Sequence, residues 1–217
     1  MKRFVVIGLG TFGSAVATRL YSLHHEVIAI DLDAQLIDRI GPKVTHAAVA
    51  DGTSQAALEE VGARKADAAV ISTGDDLSAS ILALLAVKDL GVEDIYVKVI
   101  SHAHRRIADA LGATETIFPE REVAEGLASR ITSPKLLRYV QYSNEFGIQE
   151  MAVPDAWQGK TLNALEVSKE YPIQVVAIHD MLTDSIAVPD RERALTSSDT
   201  LLVAGDRQTL EKLERLR

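Results

Sequence analysis

Cysteine is missing from the sequence altogether. That excludes a disulfide framework and any thiolate nucleophile. Aromatic residues make up only 5% of the 217 residues, and 23 lysines and arginines face 31 aspartates and glutamates, for a net charge of −8. A chain this acidic, without a basic patch, is unsuited to nucleic acid, whose binding rests on neutralising phosphates. Long apolar runs are also missing. The longest centres on Ala79–Val87, far short of the roughly 20 residues that a membrane-spanning helix needs. A glycine-rich turn stands where a secretory signal would carry its apolar stretch. These absences lead us to expect a cytoplasmic protein. What is present is ordinary for a globular fold: 47% hydrophobic and 25% charged residues, enough for one sizeable domain or two small ones.

Apolar strands and amphipathic helices alternate along the first 118 residues or so. The pattern predicts strands near Phe4–Ile7, Val27–Ile30, Thr45–Val49, Ala68–Ser72, Ile95–Val99 and Glu115–Phe118. Helices are predicted between them, at Gly13–Leu23, Gln35–Ile40, Ser54–Val61, Asp76–Leu90 and His104–Leu111. Strands with helical crossovers imply a doubly wound parallel sheet. Continuous apolar stretches such as "RFVVI" and "DAAVIS" suit parallel strands buried on both faces. "PEREVAEGLASRI" then predicts a helix with Pro119 in its first turn. Its stripe of Val123, Leu127 and Ile131, with Ala124 and Ala128, either packs on its own sheet or crosses to a partner chain. Ser133-Pro134 should end it. From about Phe146 the texture changes: "IQEMAVP", "IQVVAIH", "DSIAV" and "DTLLVAG" read as short strands, and "TLNALEV" and "RQTLEKLERL" as helices. The expected organisation is therefore a Rossmann-like domain with its following helix over residues 1–133, then a small α+β lobe over 134–217.

The first strand runs into Gly8, Gly10 and Gly13, a G-x-G-x-x-G turn. The first glycine permits the tight turn, the second lets a pyrophosphate approach the backbone, and the third lets helix and strand pack closely. The helix that follows presents free N–H groups and the positive end of its dipole to an anion. Asp31 stands at the end of the next strand, 18 residues after Gly13, placed to accept from ribose hydroxyls. An acid there argues against a 2′-phosphate, and so against NADP. Other candidates lie where parallel strands end: Ala50–Thr53 after the third, Ser72–Asp76 after the fourth, and Lys98 in the fifth, where a buried cation wants an anionic partner. Asp75 and Asp76 are read first as caps of the next helix.

Several motifs are decoys. Gly159-Lys160-Thr161 resembles the end of a P-loop, but Pro154 occupies the position of its required first glycine,. The six histidines include no zinc pattern,. His102 and His104 do not share a helical face and are expected at a polar surface or helix start. No G-x-S-x-G elbow occurs.

Taken together, "VVIGLGTFG", "VIAIDLD", "HAAVADGT", "ILALLAVKDLG", "YVKV", "ALGATETIFPE" and "GKTL…IQVVAI…DTLLVAGD" resemble the cytosolic regulatory subunits of Trk/Ktr potassium-uptake systems, over essentially the full chain. The resemblance implies an N-terminal RCK (regulator of potassium conductance) domain of Rossmann type, a crossover helix and a C-terminal RCK lobe. It implies dimers, and octameric rings attached to a membrane-embedded, potassium-translocating subunit at the inner face of the cell membrane. It implies ATP or ADP as first choice of ligand, with NAD(H) as the alternative, bound rather than turned over. By position it implies Gly8, Gly10, Thr11, Phe12 and Gly13 at the phosphates, Asp31, Leu32 and Asp33 around the ribose, and Asp51, Gly52, Thr53, Thr73 and Gly74 on the base side. Lys98 would reach toward phosphate, and Glu120 would help hold a divalent cation, Mg or Ca, near a dimer two-fold. Relatives responsive to ATP often carry arginine where this chain has Thr11, which supplies no cation to a γ-phosphate. Lys98 or a neighbouring subunit's Arg105 would then have to substitute. Some relatives bind cyclic di-AMP in the C-terminal lobe; the matching strand here, Tyr171–Asp180, has no strong anion ligand.

Two other functions compete with the regulatory sensor. A small NAD-dependent oxidoreductase needs an acid or base beside the nicotinamide and a substrate pocket, and beyond the Rossmann part only His179 is available, within an apolar strand. A nucleotide-responsive repressor needs a helix-turn-helix and a basic surface, and the sequence has neither. The expectation is therefore a non-enzymatic sensor.

Overall fold

The computed structural model describes residues 1–132, 136–141 and 145–213. The chain divides into two compact units, Met1–Pro119 and Glu120–Arg217. The helix break read at Ser133-Pro134, and with it the 133/134 boundary, lies outside the described residues.

In the first unit, strands β1 (Arg3–Ile7), β2 (Glu26–Asp31), β3 (His46–Val49), β4 (Ala68–Ile71), β5 (Asp94–Lys98) and β6 (Glu115–Ile117) alternate with helices α1 (Thr11–Ser22), α2 (Ala34–Ile40), α3 (Gln55–Glu60), α4 (Leu77–Asp89) and α5 (His102–Ala110). The strands form one parallel sheet in the order β3-β2-β1-β4-β5-β6. The expected doubly wound sheet is present, with element ends shifted by a residue or two. The chain winds outward from β1 to β3, then returns to β4 on the other side of β1. Helices leaving β1 and β4 therefore diverge, and a crevice opens beyond their carboxyl ends.

Each face of this sheet has its own core. One gathers Val5, Ile7, Ile28, Ile30, Ile71, Ile95 and Val97 under Ala83, Leu84 and Val87 of α4. The other gathers Val6, Val27, Ala29 and Val70 under Ala17 of α1 and Ile37 and Ile40 of α2. An apolar helix such as α4 could be buried between chains as well as in its own core. Four of its apolar residues are buried in its own core, while Leu82 and Leu85 are exposed.

His104 lies in the first turn of α5, the helix-start position that was one of its two expected places, but it is not at a surface. It is fully buried, at 0% exposure, with Nε2 3.0 Å from the Ser80 hydroxyl of α4 and Nδ1 3.4 Å from the Ile100 amide. The helix starts two residues earlier than predicted, with Ser101 accepting from the His104 amide. His104 shares the buried face of α5 with Ala108, one turn later.

In the second unit, strands β7 (Leu136–Gln141), β8 (Phe146–Ala152), β9 (Ile173–Asp180), β10 (Ser185–Ala187) and β11 (Asp199–Asp206) form an antiparallel sheet in the order β10-β9-β11-β8-β7. Helices α6 (Pro119–Thr132), α7 (Leu162–Leu165), α8 (Val167–Glu170) and α9 (Arg207–Leu213) accompany it. Met151, Trp157, Ile173, Val175, Ile178, Leu201, Val203 and Leu210 form the core on one face of the sheet. The sequence reading had no strand at β7. It also ran one helix through "TLNALEV" and did not read α8; α7 ends at Glu166, whose φ of 43° is left-handed, and α8 starts at Val167. On α6 the apolar stripe stands exposed among the described residues: Val123 is 69%, Leu127 47% and Ile131 73% exposed.

Candidate nucleotide-binding site

Packing dictates two of the glycines in the β1–α1 turn. Gly8 has φ +89°, and a Cβ there would lie 2.2 Å from the Ser72 carbonyl oxygen. A Cβ on Gly13 would lie 1.9 Å from the Gly8 carbonyl oxygen. Gly10 is different. Its φ is −60°, and a Cβ there would meet nothing within 4 Å. The fold does not require glycine at this position. A ligand approaching the backbone would.

The helix ends agree. In the first unit, α2, α3, α4 and α5 each have a capping side chain, respectively Asp33, Ser54, Asp76 and Ser101, that accepts from a first-turn amide. The N-cap of α1 is Gly10, which has no side chain to offer, and no acid occupies the first turn. The N–H groups there retain their capacity to bind an anion, and the helix dipole adds to it. The reading of Asp76 as a cap is borne out.

Asp31 is held by backbone on both sides. Its Oδ2 accepts from the Leu9 amide at 2.6 Å and its Oδ1 from the Asp33 amide at 2.9 Å. Ser14 locks the same turn by donating to the Leu9 carbonyl at 2.6 Å. The sequence showed no signal for this bracing of Leu9, because it depends on the parallel register of β1 against β2. Leu32 projects into solvent, and Asp33 holds the Gln35 amide at 2.8 Å. Phe12 packs its ring on the core, leaving its backbone as the part facing the turn.

The β3–α3 loop is brought in by Gly52. A Cβ there would strike Ile7 Cγ2 at 2.2 Å, so only glycine lets this loop lie on the end of β1. Beside it Asp51 accepts from the Thr53 hydroxyl at 2.7 Å and the Thr53 amide at 2.9 Å. Those two bonds hold the Asp51 carboxyl below the usual carboxylate range,. Thr73 follows Ser72 against Gly8, its amide nitrogen 3.0 Å from where a Gly8 Cβ would stand, and Gly74 turns with φ +65°. The turn, Asp31, the 51–53 loop and the 73–74 loop are therefore grouped where β1, β2, β3 and β4 end.

Three candidates lie elsewhere. Lys98 closes β5, two strands from β1. Arg105 sits on α5 over β6: its Nη2 donates to the Thr116 carbonyl at 3.4 Å, and its Nε is buried without a hydrogen-bond partner among the described residues. Glu120 lies on exposed α6, in the second unit. Among the described residues no group of three or more His, Cys, Asp or Glu is arranged to hold a metal. The second unit has its own cleft of about 350 Å³, lined by residues that include Leu162, Asn163, Lys169, Pro189 and Arg191.

Comparison with known proteins follows the same division. Residues 4–119 match the TrkA-N domain and residues 148–217 the TrkA-C domain. The chain is 31% identical to the Ktr system potassium uptake protein C of Bacillus subtilis over 99% of its length and 96% of that protein's. It is also 31% identical to the Ktr system potassium uptake protein A of Vibrio alginolyticus, covering 98% of that chain. A solved structure of the GsuK channel bound to NAD shares the fold, with a TM-score of 0.64 at 18% identity; it aligns with 99% of this chain, which spans 47% of the isolated GsuK RCK domain structure and 39% of the channel chain. A parallel sheet ending in a braced glycine turn, an antiparallel lobe after it and full-length kinship to two potassium-uptake proteins lead to one assignment: this chain belongs to the Ktr/Trk family of potassium-uptake proteins, built from a TrkA-N and a TrkA-C domain.

Proposed function

We propose that the chain is a cytosolic regulatory subunit that senses an adenine nucleotide and gates a membrane potassium-translocating partner. The observation that carries this reading is the start of α1: an uncapped helix end faced by a glycine that the fold itself does not need. Those residues fit a phosphate-bearing ligand. The amides from Gly10 to Gly13 would hold phosphate, and Asp31 would turn its remaining lone pairs to ribose hydroxyls. Asp51, Gly52, Thr53, Thr73 and Gly74 would border the base. ATP or ADP is the first choice, with NAD(H) the alternative; the kinship to potassium-uptake proteins and the NAD in a fold neighbour support the class. Thr11 adds no cation, so a γ-phosphate gains nothing from it. Lys98 in cis and Arg105 from a neighbouring subunit are the cations available in this proposal.

The nucleotide is a signal here and is not consumed. A bound ligand moves a conformational balance only by favouring one geometry, and a site near a subunit boundary provides that preference. The uncovered stripe of α6 supports self-association,. We assign it to a dimer contact and place Glu120 beside a divalent cation there, with an octameric ring as the larger assembly. We assign α6 functionally to the nucleotide-binding domain, with the boundary after it at residues 133/134, while its packing groups it with the second unit. In the second unit the cleft near Lys169 and Arg191 is where a second ligand, such as cyclic di-AMP, would be sought. Among the described residues no helix is long and apolar enough to cross a membrane, so the potassium path belongs to the partner.

The test is calorimetry of the purified chain with ATP, ADP and NADH, alongside mass determination and an NADH oxidation assay. Binding with an unchanged nucleotide and a nucleotide-dependent assembly supports the sensor. Steady NADH oxidation with a small substrate would instead support a dehydrogenase.

A further inference from the structure

The second unit holds a polar cluster that the nucleotide reading does not use. His179, on β9, has Nδ1 3.1 Å from Glu150 Oε1 on β8 and Nε2 3.0 Å from Asp184 Oδ1 in the β9–β10 turn. The imidazole thus spans from the middle of the sheet to the tip of the hairpin. Its two nitrogens face opposite directions, so the carboxylates engage opposite edges of the ring and do not converge on one point.

Polar and charged groups neighbour it among the described residues. Thr200 of β11 donates to Glu150 Oε1 at 2.7 Å. Arg138 of β7 stands opposite Glu150 in the strand register. Asp180 of β9 is engaged by the Leu182 amide and the Thr183 hydroxyl, with Arg193 as its distant cation. β10 contributes no titratable residue. Asp184 has a left-handed φ of 52° and a side chain that is 94% exposed.

We propose that His179 is a proton-dependent clasp, which fastens the tip of the β9–β10 hairpin to the sheet when protonated and releases it as the medium turns alkaline. The imidazolium has two N–H donors, one for each carboxylate. The neutral ring has one donor and one lone pair, and a carboxylate facing the lone pair is repelled. Glu150 lies in the sheet with Thr200 as a further donor, so the remaining N–H stays with it. Asp184 is almost fully exposed, with water at hand to replace the ring, and it is the end that lets go. Both carboxylates favour the charged ring, and they hold the His179 pKa above its ordinary value, with Glu150 the larger influence,. The hairpin carries Met181, Leu182, Ile186 and Val188 exposed to solvent, so its release alters how an apolar surface is presented.

The experiment uses the full chain with 13C-labelled histidine, His179 being identified by its loss in His179→Gln. A second readout is hydrogen exchange of the 176–188 segment at pH 6.0 and pH 8.5, corrected for the intrinsic rate. The clasp predicts a His179 midpoint above ~6.5 and several-fold lower protection of the hairpin at the alkaline pH. In Asp184→Asn, an exposed change that leaves the fold intact, the midpoint falls and protection is low at both pH values. In His179→Gln protection no longer depends on pH. A wild-type midpoint at or below the ordinary value, or equal hairpin protection at the two pH values, overturns the proposal.

Discussion

The amide of Leu9 and the carboxylate of Asp31 meet at 2.6 Å, joining the glycine turn after β1 to the end of β2. One acid therefore braces the turn and also presents its free lone pairs to the crevice. In the site we propose, structure and binding are coupled at this residue, and a substitution there should act on both.

For Asp31→Ala we expect a loss of stability as well as of nucleotide affinity. The Leu9 and Asp33 amides lose their acceptor, which costs about 1–3 kcal/mol for a part-buried group left unpaired. Urea denaturation measures the first effect and calorimetry the second. A variant as stable as the parent would contradict the bracing role.

Gly10→Ala separates a working site from a turn that only keeps its shape. The position has an ordinary φ and no neighbour for a Cβ, so stability should change by less than about 0.5 kcal/mol. Affinity for ADP should fall by roughly tenfold or more, about 1.4 kcal/mol. Gly13→Ala, whose Cβ would collide with backbone at 1.9 Å, should instead unfold or distort the domain. Unchanged ADP binding in Gly10→Ala would show that no phosphate approaches there.

His104 predicts an acid-sensitive first domain. Burial lowers its pKa, so the folded state favours the neutral ring while the unfolded chain takes up a proton near pH ~6.5. The stability it contributes is fully present above that pH and is lost as the pH falls toward the folded value. Ser80→Ala, which removes the hydroxyl 3.0 Å from Nε2, should cost about 1–3 kcal/mol at neutral pH. Thermal denaturation between pH 5 and 8 checks both; a pH-independent melting temperature in that range, with His104→Gln no different, would rule the effect out.

On α6, Leu127→Glu should leave the monomer folded, because the side chain is 47% exposed in the single chain. It should weaken self-association, since a charge placed in an apolar contact must be desolvated. Sedimentation velocity reads the outcome. An assembly identical to the parent's would remove α6 from the interface.

Much of this was legible in the residues. The alternation of "RFVVI" and "DAAVIS" with helical stretches marked the parallel sheet, because strands buried on both faces must be apolar throughout. Gly8, Gly13 and Gly52 stood out as glycines, and the close contacts to Ser72, Gly8 and Ile7 explain why. Other features were hidden. β7 escaped notice because "LLRYVQ" lacks a decisive period. His104 looked like a surface residue because the hydroxyl that meets its ring, Ser80 of α4, is 24 positions away in the chain. His179 looked like an isolated polar residue in a strand because Glu150 is 29 positions away in the chain.

The sequence alone determined the order of strands and helices in the first unit and the glycine turn with its acid. These are local patterns, set by backbone sterics and by the period at which apolar groups recur. Only the tertiary structure decided which groups meet: Leu9 with Asp31, Ser80 with His104, Glu150 and Asp184 with His179. Those pairings depend on strand register and helix rotation. Both are fixed by the packing of whole faces, and no short stretch of chain contains that information.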